Sequence, residues 1–149
     1  MQKLESRSAR PEGETEGTAH RPARQVSGPV AVLDLGAETE SLRQEPAWQT
    51  ADHNAMTLSK EPDIRLVLTT LKAGAVIREH HVPGTVTVHT LTGRIALDLP
   101  DQRVDLPAGH LLVLERDILH DIEVIEDSTF LLTIAWPAGD QAGRNAHGA

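Results

Sequence analysis

The sequence contains no cysteine and very few aromatic side chains. Its 149 residues include no tyrosine, and its aromatic residues are Trp48, Phe130 and Trp136. The absence of cysteine excludes disulfides, thiolate catalysis and cysteine-based zinc sites. The scarcity of aromatic residues argues against a surface that binds nucleic acid by base stacking, because such surfaces are built from aromatic platforms.

Basic clusters and long apolar runs are lacking as well. There are 14 Lys and Arg against 22 Asp and Glu, which gives a net charge of −8. No basic patch of the kind that binds phosphate groups is visible. No run approaches the roughly 20 apolar residues of a membrane-spanning helix, and the N-terminus has no apolar segment typical of a secretory signal. We therefore expect a cytoplasmic protein without a nucleic-acid or membrane partner.

Both ends of the chain have the composition of tails. Residues 1–29 are rich in charge and poor in large aliphatic side chains, and residues 137–149 are polar. Segments of this kind bury too little apolar area to offset their chain entropy, so both are predicted to be disordered. This leaves residues 30–54 as a lead-in segment and residues 55–136 as one domain.

The lead-in segment is predicted to contain a strand and one short helix. Val30–Leu35 has the apolar character of an edge strand or an extended lead-in. Ala37–Glu45 consists of good helix formers, with Asp34 placed to cap it and Pro46 to end it. We expect this helix to lie on the outside of the domain, with Trp48 as an anchor.

Short strands separated by turn residues dominate the domain. Gly, Pro and Asp mark turns between runs of apolar and β-branched residues. The predicted strands are Met56–Leu58, Ile64–Leu71, Val76–Glu79, Thr85–Thr92, Ile95–Leu99, Val104–Leu106, Leu111–Leu114, His120–Ile125 and Thr129–Trp136. This spacing is typical of an all-β sandwich or barrel, and no long helical pattern supports a parallel α/β sheet.

Two strands alternate cleanly between apolar and polar positions. Ile95, Leu97 and Leu99 are predicted to face the core, opposite Arg94 and Asp98. A second core-facing stripe is predicted on the last strand, formed by Phe130, Leu132, Ile134 and Trp136.

The stretch from Gly74 to Gly93, GAVIREHHVPGTVTVHTLTG, contains the residues that point to a family. Gly74 is followed after five residues by His80, and Gly93 ends the β-run that follows. Gly109 and His120 have the spacing of a second motif. The chain thereby resembles the cupin superfamily, whose motifs read G-x5-H-x-H-x3,4-E-x6-G and G-x5-P-x-G-x2-H-x3-N.

Within that superfamily, the chain resembles one smaller group of proteins. The turn and strand His80-x-x-Pro-Gly-x-Val-Thr-Val is similar to that of small single-domain, cupin-2-like proteins. The resemblance implies an all-β fold, a cupin-type jelly-roll β-barrel (a double-stranded β-helix), here preceded by one short helix. It also implies a homodimer, and an exposed lead-in strand would find a partner edge in a second copy.

The resemblance further implies a candidate site, which departs from the family pattern. Metal-binding cupins hold one divalent ion, such as Fe, Mn, Ni or Zn, with three histidines and a carboxylate. His80 and His120 take the first and last ligand positions. Val82 stands where the second histidine belongs, and Val86 where the glutamate belongs. The set of metal ligands is therefore incomplete.

Two other histidines, His81 and His89, are candidates to complete this set of metal ligands. His81 follows His80 directly, so strand alternation sends the two side chains to opposite faces unless a bulge intervenes. If Val86 and Val88 point into the barrel, His89 points outward. A register shift of one residue would turn His89 inward instead.

Three interpretations of function stay open. The first is a binding or sensing domain for a small molecule, with a pocket lined by His80, Val82, Val86, His89 and His120, whose valines favour an apolar ligand. The second is a metal-dependent enzyme of dioxygenase or isomerase type, using His80 and His120 with His81 or His89, by analogy of fold. The third is a structural domain whose own Leu and Val side chains fill the barrel.

Overall fold

The computed structural model describes residues 29–79 and 81–136, which form two helices followed by seven strands. The elements are α1 (Leu35–Gln44), α2 (Pro46–Thr50), β1 (His53–Lys60), β2 (Ile64–Leu71), β3 (Val76–Glu79), β4 (Thr85–Asp98), β5 (Arg103–Pro107), β6 (Leu111–Leu114) and β7 (His120–Ala135). The predicted tails, residues 1–29 and 137–149, lie outside the described residues except for Pro29, and so does His80. No helix within the described ranges has the length and apolar character needed to cross a membrane.

Strands β4 and β7 run side by side through the whole domain. Their antiparallel pairing extends from Thr85 opposite Ala135 to Asp98 opposite Asp121. One half of this ribbon continues into β2 and then β1 on one side and into β6 on the other. Its other half pairs with β3 and β5. The sheet thus folds over along β4 and β7, which confirms the prediction of an all-β jelly-roll barrel.

These two strands are longer than the sequence pattern predicts. Thr85–Thr92 and Ile95–Leu99 were expected as separate strands, yet β4 is continuous, and β7 likewise joins two expected strands. The residues that suggest turns form a corner instead, where the register between β4 and β7 shifts between Thr90 and Ile95. Because a bulge bends a strand without ending it, turn residues within these strands do not separate them.

Close backbone contact holds the corner together. Gly93 has a φ of 82°, and a Cβ atom at this position would overlap the carbonyl oxygen of Asp127 and the hydroxyl of Ser128. The buried Ser128 hydroxyl accepts a hydrogen bond from the amide of Arg94 over 2.9 Å and donates one to the carbonyl of Glu126 over 2.6 Å. The corner therefore requires glycine on one strand and a small hydroxyl on the other.

The core between the two sheets is mostly aliphatic, with Phe130 and Trp136 as its aromatic members, and includes both predicted stripes. Ile95 and Leu97 are fully buried with Leu99 packed against them, while Arg94 and Asp98 are exposed, as predicted. The second stripe is confirmed as well, because Phe130, Ile134 and Trp136 belong to the same core and Leu132 packs on it. This cluster of buried side chains comprises Leu71, Ala75, Val86, Val88, Ile95, Leu97, Leu106, Leu114, Ile122, Val124, Phe130, Ile134 and Trp136.

Helix α1 covers the outer face of β1 and β2 through a second apolar cluster. Leu42 is fully buried there against Met56, Leu58 and Leu68. The Asp34 carboxylate accepts a hydrogen bond from the amide of Ala37 over 3.0 Å, which confirms it as the helix cap.

In the lead-in segment, residues 30–34 form no strand, since none of the described strands pairs with them. Of the two expectations for Val30–Leu35, the edge strand is therefore not observed, and Leu35 begins α1. Pro46 follows the end of α1 and also begins a second short helix, α2, which was not predicted. Proline suits the first position of a helix because its missing amide hydrogen is not needed there. The carbonyl of Trp48, in α2, accepts a hydrogen bond from the Lys72 ammonium over 2.7 Å, so α2 is held against the barrel.

We expect Gly93→Ala to destabilise the domain far more than Gly74→Ala. Both glycines have positive φ, but a Cβ at Gly74 meets nothing within 4 Å. The strain of a left-handed alanine alone costs about 1–2 kcal/mol, and at Gly93 the overlap with the facing strand raises the total to at least about 3 kcal/mol. Urea unfolding of the two variants measures the difference. Equal losses of stability would show that the corner is not held by this contact.

Candidate functional site

One end of the barrel is bordered by the loop between β3 and β4 (residues 81–84), the loop between β6 and β7 (residues 115–119) and the end of β7. The amide of Asp117 donates to the carbonyl of Val82 over 2.8 Å and so joins the two loops. Gly84 lies against the last residue of β7, where a Cβ would overlap its carbonyl oxygen. We call this end the mouth, defined by the side chains of Arg65, Val82, Ile118, His120 and Trp136.

Asp117 occupies a position that the cupin motif gives to glycine. Its φ is 66°, and no other non-glycine residue in the described ranges has a positive φ. Aspartate tolerates this left-handed conformation better than most residues. Its carboxylate also lies 3.3 Å from Nδ1 of His81, an exposed contact between the two loops. The departure from the motif is therefore compatible with the turn that the motif requires.

His120 is held at the inner face of β7. Its side chain is 4% exposed and alternates with Ile122 and Val124, which belong to the core. Nδ1 lies 3.0 Å from the carbonyl oxygen of Ile118. Since a carbonyl can only accept, Nδ1 carries the hydrogen in this bond and Nε2 is the nitrogen with the free lone pair in the neutral ring. The imidazole is thus oriented by its own loop.

The two valines at ligand positions make the adjoining surface apolar. Val86 is 3% exposed and belongs to the core, flanked on the neighbouring strands by Ile134 and Leu114. Val82 is partly buried and packs against the same core. Neither position supplies a metal ligand.

The remaining candidate histidines do not join His120. Val86 and Val88 point into the barrel, so alternation places His89 on the outer face, next to Leu131 and the exposed Leu111. This corrects the assignment of His89 to the pocket. His81 is exposed and contacts Asp117. His80, a predicted pocket residue and metal ligand, lies outside the described residues.

The described donor side chains differ from those of a cupin metal site. Within residues 29–79 and 81–136, no three His, Cys, Asp or Glu side chains come together to hold an ion. His120 is the one imidazole of the described residues that faces the interior. The described side chains therefore do not fit the set of three histidines and one carboxylate.

Two inward-facing side chains of the barrel are only partly buried. Leu132, on the central strand β7, points inward and packs on the core, yet it is only partly buried. Val67, directly opposite on β2, is also partly buried. The inward residues on either side of Leu132, Phe130 and Ile134, are buried. Because β7 is flanked by strands on both sides, this exposure arises from the space between the two sheets.

Two polar residues of the interior were not singled out from the sequence. Arg65 is paired with Ile134 and shares the inward face of β2 with Thr69 and Leu71. Alternation along β2 is the signal that would have found it. Thr90 is fully buried, and its hydroxyl has no hydrogen-bond partner in the part of the chain that the structure describes.

Comparisons with known proteins rest on structure alone. No protein-family model matches the sequence, and no curated protein does. A conserved protein of unknown function from Streptococcus pyogenes aligns with a TM-score of 0.58 and 20% identity, over 78% of this chain and 96% of that one. A cupin superfamily protein from Desulfitobacterium hafniense aligns with a TM-score of 0.55 and 19% identity, over 57% of this chain and 78% of that one.

A third solved structure is similar to this chain to about the same extent. A cupin-2 domain containing protein from Shewanella frigidimarina aligns with a TM-score of 0.56 and 13% identity, over 70% of this chain and 94% of that one. Identities this low show similarity of fold and leave the reaction and ligand open. The folded-over antiparallel sheet and these likenesses lead to one conclusion: the chain has the cupin fold.

Proposed function

We propose that this chain is a small-molecule-binding cupin domain with an incomplete metal site, acting by binding or sensing a mostly apolar molecule inside the barrel. The observation that supports it most is the partial exposure of Leu132, between the buried Phe130 and Ile134, and of Val67 opposite it. A space lined by aliphatic side chains with few polar groups is the usual form of a site for small organic ligands.

The alternative is a metal-dependent enzyme of dioxygenase or isomerase type. It would need His80 and His120 together with His81 or His89. The outward position of His89 and the exposed contact of His81 with Asp117 favour the binding function over this alternative. Val86 in the core adds to the same argument, because its position is that of the family's carboxylate ligand.

We predict that Leu132→Phe weakens binding of small neutral apolar molecules, whereas Leu131→Phe does not. Residue 132 faces the interior, while residue 131 packs in the cluster under α1 on the opposite face. A larger side chain at 132 fills the space that a ligand would occupy, so affinity for hexanamide or 1-hexanol falls at least about tenfold, or ~1.4 kcal/mol. Ligand-observed NMR titration of the two variants and the wild type measures this effect.

The two variants control for strain, since each adds the same group to a packed layer. Thermal unfolding of both should show comparable stability. If neither probe nor any other small apolar compound binds the wild-type protein, the binding function is wrong. Equal affinities of the two variants would place the ligand elsewhere.

The metal content of the purified protein distinguishes the binding function from the metal-dependent enzyme. We expect protein purified without a chelating tag to contain far less than one Fe, Mn, Ni or Zn per chain, because the described donors do not form a set. Elemental analysis by mass spectrometry measures it. A stoichiometric metal that is lost in His120→Ala would overturn the proposal in favour of the enzyme.

We also propose that the chain forms a homodimer in which the lead-in segment of one copy lies along β6 of the other. Strand β6 pairs with β4 alone among the described strands, and it exposes Leu111 by 57% and Val113 by 61%. The extended lead-in exposes Val30 by 75% and Val32 by 77%. An unpaired apolar edge and an extended apolar segment complement each other, because each supplies the hydrogen bonds and contacts the other lacks.

The double variant Leu111→Lys with Val113→Lys is expected to convert the dimer to a monomer. Charges on an edge strand oppose pairing with another chain. Val76→Lys is the matched control, since Val76 is 47% exposed on a different strand. Sedimentation velocity of the full chain measures the mass. A monomeric wild-type protein, or a dimer that survives the double variant, would contradict this arrangement.

A further inference from the structure

The inward side chains of the layer that contains β1 and β2 form rows that run across the strands. One row consists of Thr57 on β1, Val67 on β2, Leu132 on β7 and Val88 on β4, because each lies directly opposite the next in the strand register. Thr57, Val67 and Leu132 are only partly buried, whereas Val88 is fully buried. Exposure along this row therefore begins at the edge strand β1 and ends before β4.

The exposed part of the interior narrows from β1 towards β4. On β7 and β4, the inward residues of the two neighbouring rows are at most 7% exposed, namely Phe130, Thr90, Ile134 and Val86. On β1, by contrast, the next inward residue after Thr57 is Ala55, and it is partly buried too. Leu132 is thus the one exposed inward position on β7, while β1 has two.

The strand topology explains why this exposure begins at β1. Along the side of the ribbon formed by β7, one layer continues into β2 and β1 and the other continues into β3. Among the described strands no pairing joins β1 to β3, so hydrogen bonds between strands do not close the barrel on this side. Ile77, which points inward from β3, is partly buried as well. The gap between β1 and β3 is therefore an entrance separate from the mouth.

Thr57 is the polar residue of this row, and it lies at the open end. Its hydroxyl can both donate and accept a hydrogen bond, whereas Val67, Leu132 and Val88 are aliphatic. The row contains no ionisable side chain, and Arg65, the next inward residue on β2, already has interaction partners. From Thr57 to Leu132 the row crosses two spacings between strands, about 10 Å.

We infer that the ligand is a neutral, unbranched aliphatic chain with one hydrogen-bonding end, such as a primary alcohol, and that it lies across the strands along this row. Its apolar end points towards Val88, and its polar end bonds the Thr57 hydroxyl beside β1. This inference rests on the proposed binding function and adds the class, the orientation and the entrance of the ligand. A charged end is disfavoured because the row offers it no counter-ion.

The role of the hydroxyl is tested with Thr57→Val and two probes of equal length, 1-hexanol and 1-fluorohexane, by ligand-observed NMR titration. Valine has nearly the shape of threonine without its hydrogen bond, so the affinity for 1-hexanol is expected to fall about fivefold. The affinity for 1-fluorohexane, which has no hydrogen to donate, should stay unchanged. Thr57→Ser retains the hydroxyl and should retain the preference for 1-hexanol.

Thr87→Val is the matched control for the hydroxyl. Thr87 lies between the inward residues Val86 and Val88, so its side chain is on the outer face of the same layer. Both probes should bind this variant as they bind the wild type. Loss of the 1-hexanol preference in Thr87→Val as well, or its survival in Thr57→Val, would overturn the assignment to Thr57.

The entrance is tested with Ala55→Phe, which places a large side chain beside Thr57 on the inner face of β1. The affinity for both probes is expected to fall at least about tenfold, because the side chain fills the open end of the row. Ala73→Phe adds the same group at an exposed turn before β3 and should leave both affinities unchanged. If Ala55→Phe does not fold, the smaller Ala55→Leu replaces it, and unchanged affinities in the folded variant would overturn this entrance.

The outcomes distinguish this inference from the binding function on which it rests. Binding of 1-hexanol that depends on Leu132 but not on Thr57 or Ala55 would overturn the inference and leave the binding function standing. Tighter binding of hexanoate or hexylammonium than of 1-hexanol would do the same, because it would show a charged ligand. Failure of every small apolar compound to bind the wild-type protein would overturn both.

Discussion

The structure depends on the uninterrupted pairing of β4 with β7. These two strands belong to both halves of the folded-over sheet, and β2, β3, β5 and β6 are each positioned by their register with one of them, while β1 is added through β2. The bend is possible because Gly93 lets the backbone of β4 approach Asp127 and Ser128 on β7. The Ser128 hydroxyl binds main-chain groups on both strands there. A side chain at position 93 would push apart the ribbon that both layers share.

The same ribbon determines which side chains line the interior. Val86 and Val88 enter from β4 and the stripe ending at Trp136 enters from β7, so the interior is apolar over most of its length. Polar groups reach it mainly at the mouth, where Arg65 and His120 lie.

Part of this could be predicted from local pattern. Strands β2, β3 and β6 have the bounds that alternation and turn residues indicate, and Asp34 caps α1 as expected. The long strands were divided wrongly, because glycine and Glu-Asp-Ser residues signal a turn whether the chain reverses or merely bends. Helix α2 does not follow from the local pattern, because a proline after a helix indicates its end and does not show whether another helix begins there.

The candidate site shows more clearly what a local sequence pattern does not decide. Alternation within β4 states that His89 faces away from Val86 and Val88, but it does not state which of these faces is the interior. That choice is made by the pairing of β4 with β6 and β7 on either side. The sequence pattern does not indicate the inward position of Arg65 either, since a charged residue in a strand ordinarily faces solvent.

By itself the sequence determined the class of protein. The lack of cysteine and aromatic residues excluded whole kinds of site, and the spacing of Gly74, Gly93, Gly109 and His120 predicted the barrel. Tertiary structure alone decided which side chains share its interior. Neighbouring strands fix the inward face of each strand through register and through the corner at Gly93, and these contacts join residues far apart in the chain. That is why Trp136 and His120 face the interior while His81 is exposed and His89 lies on the outer face.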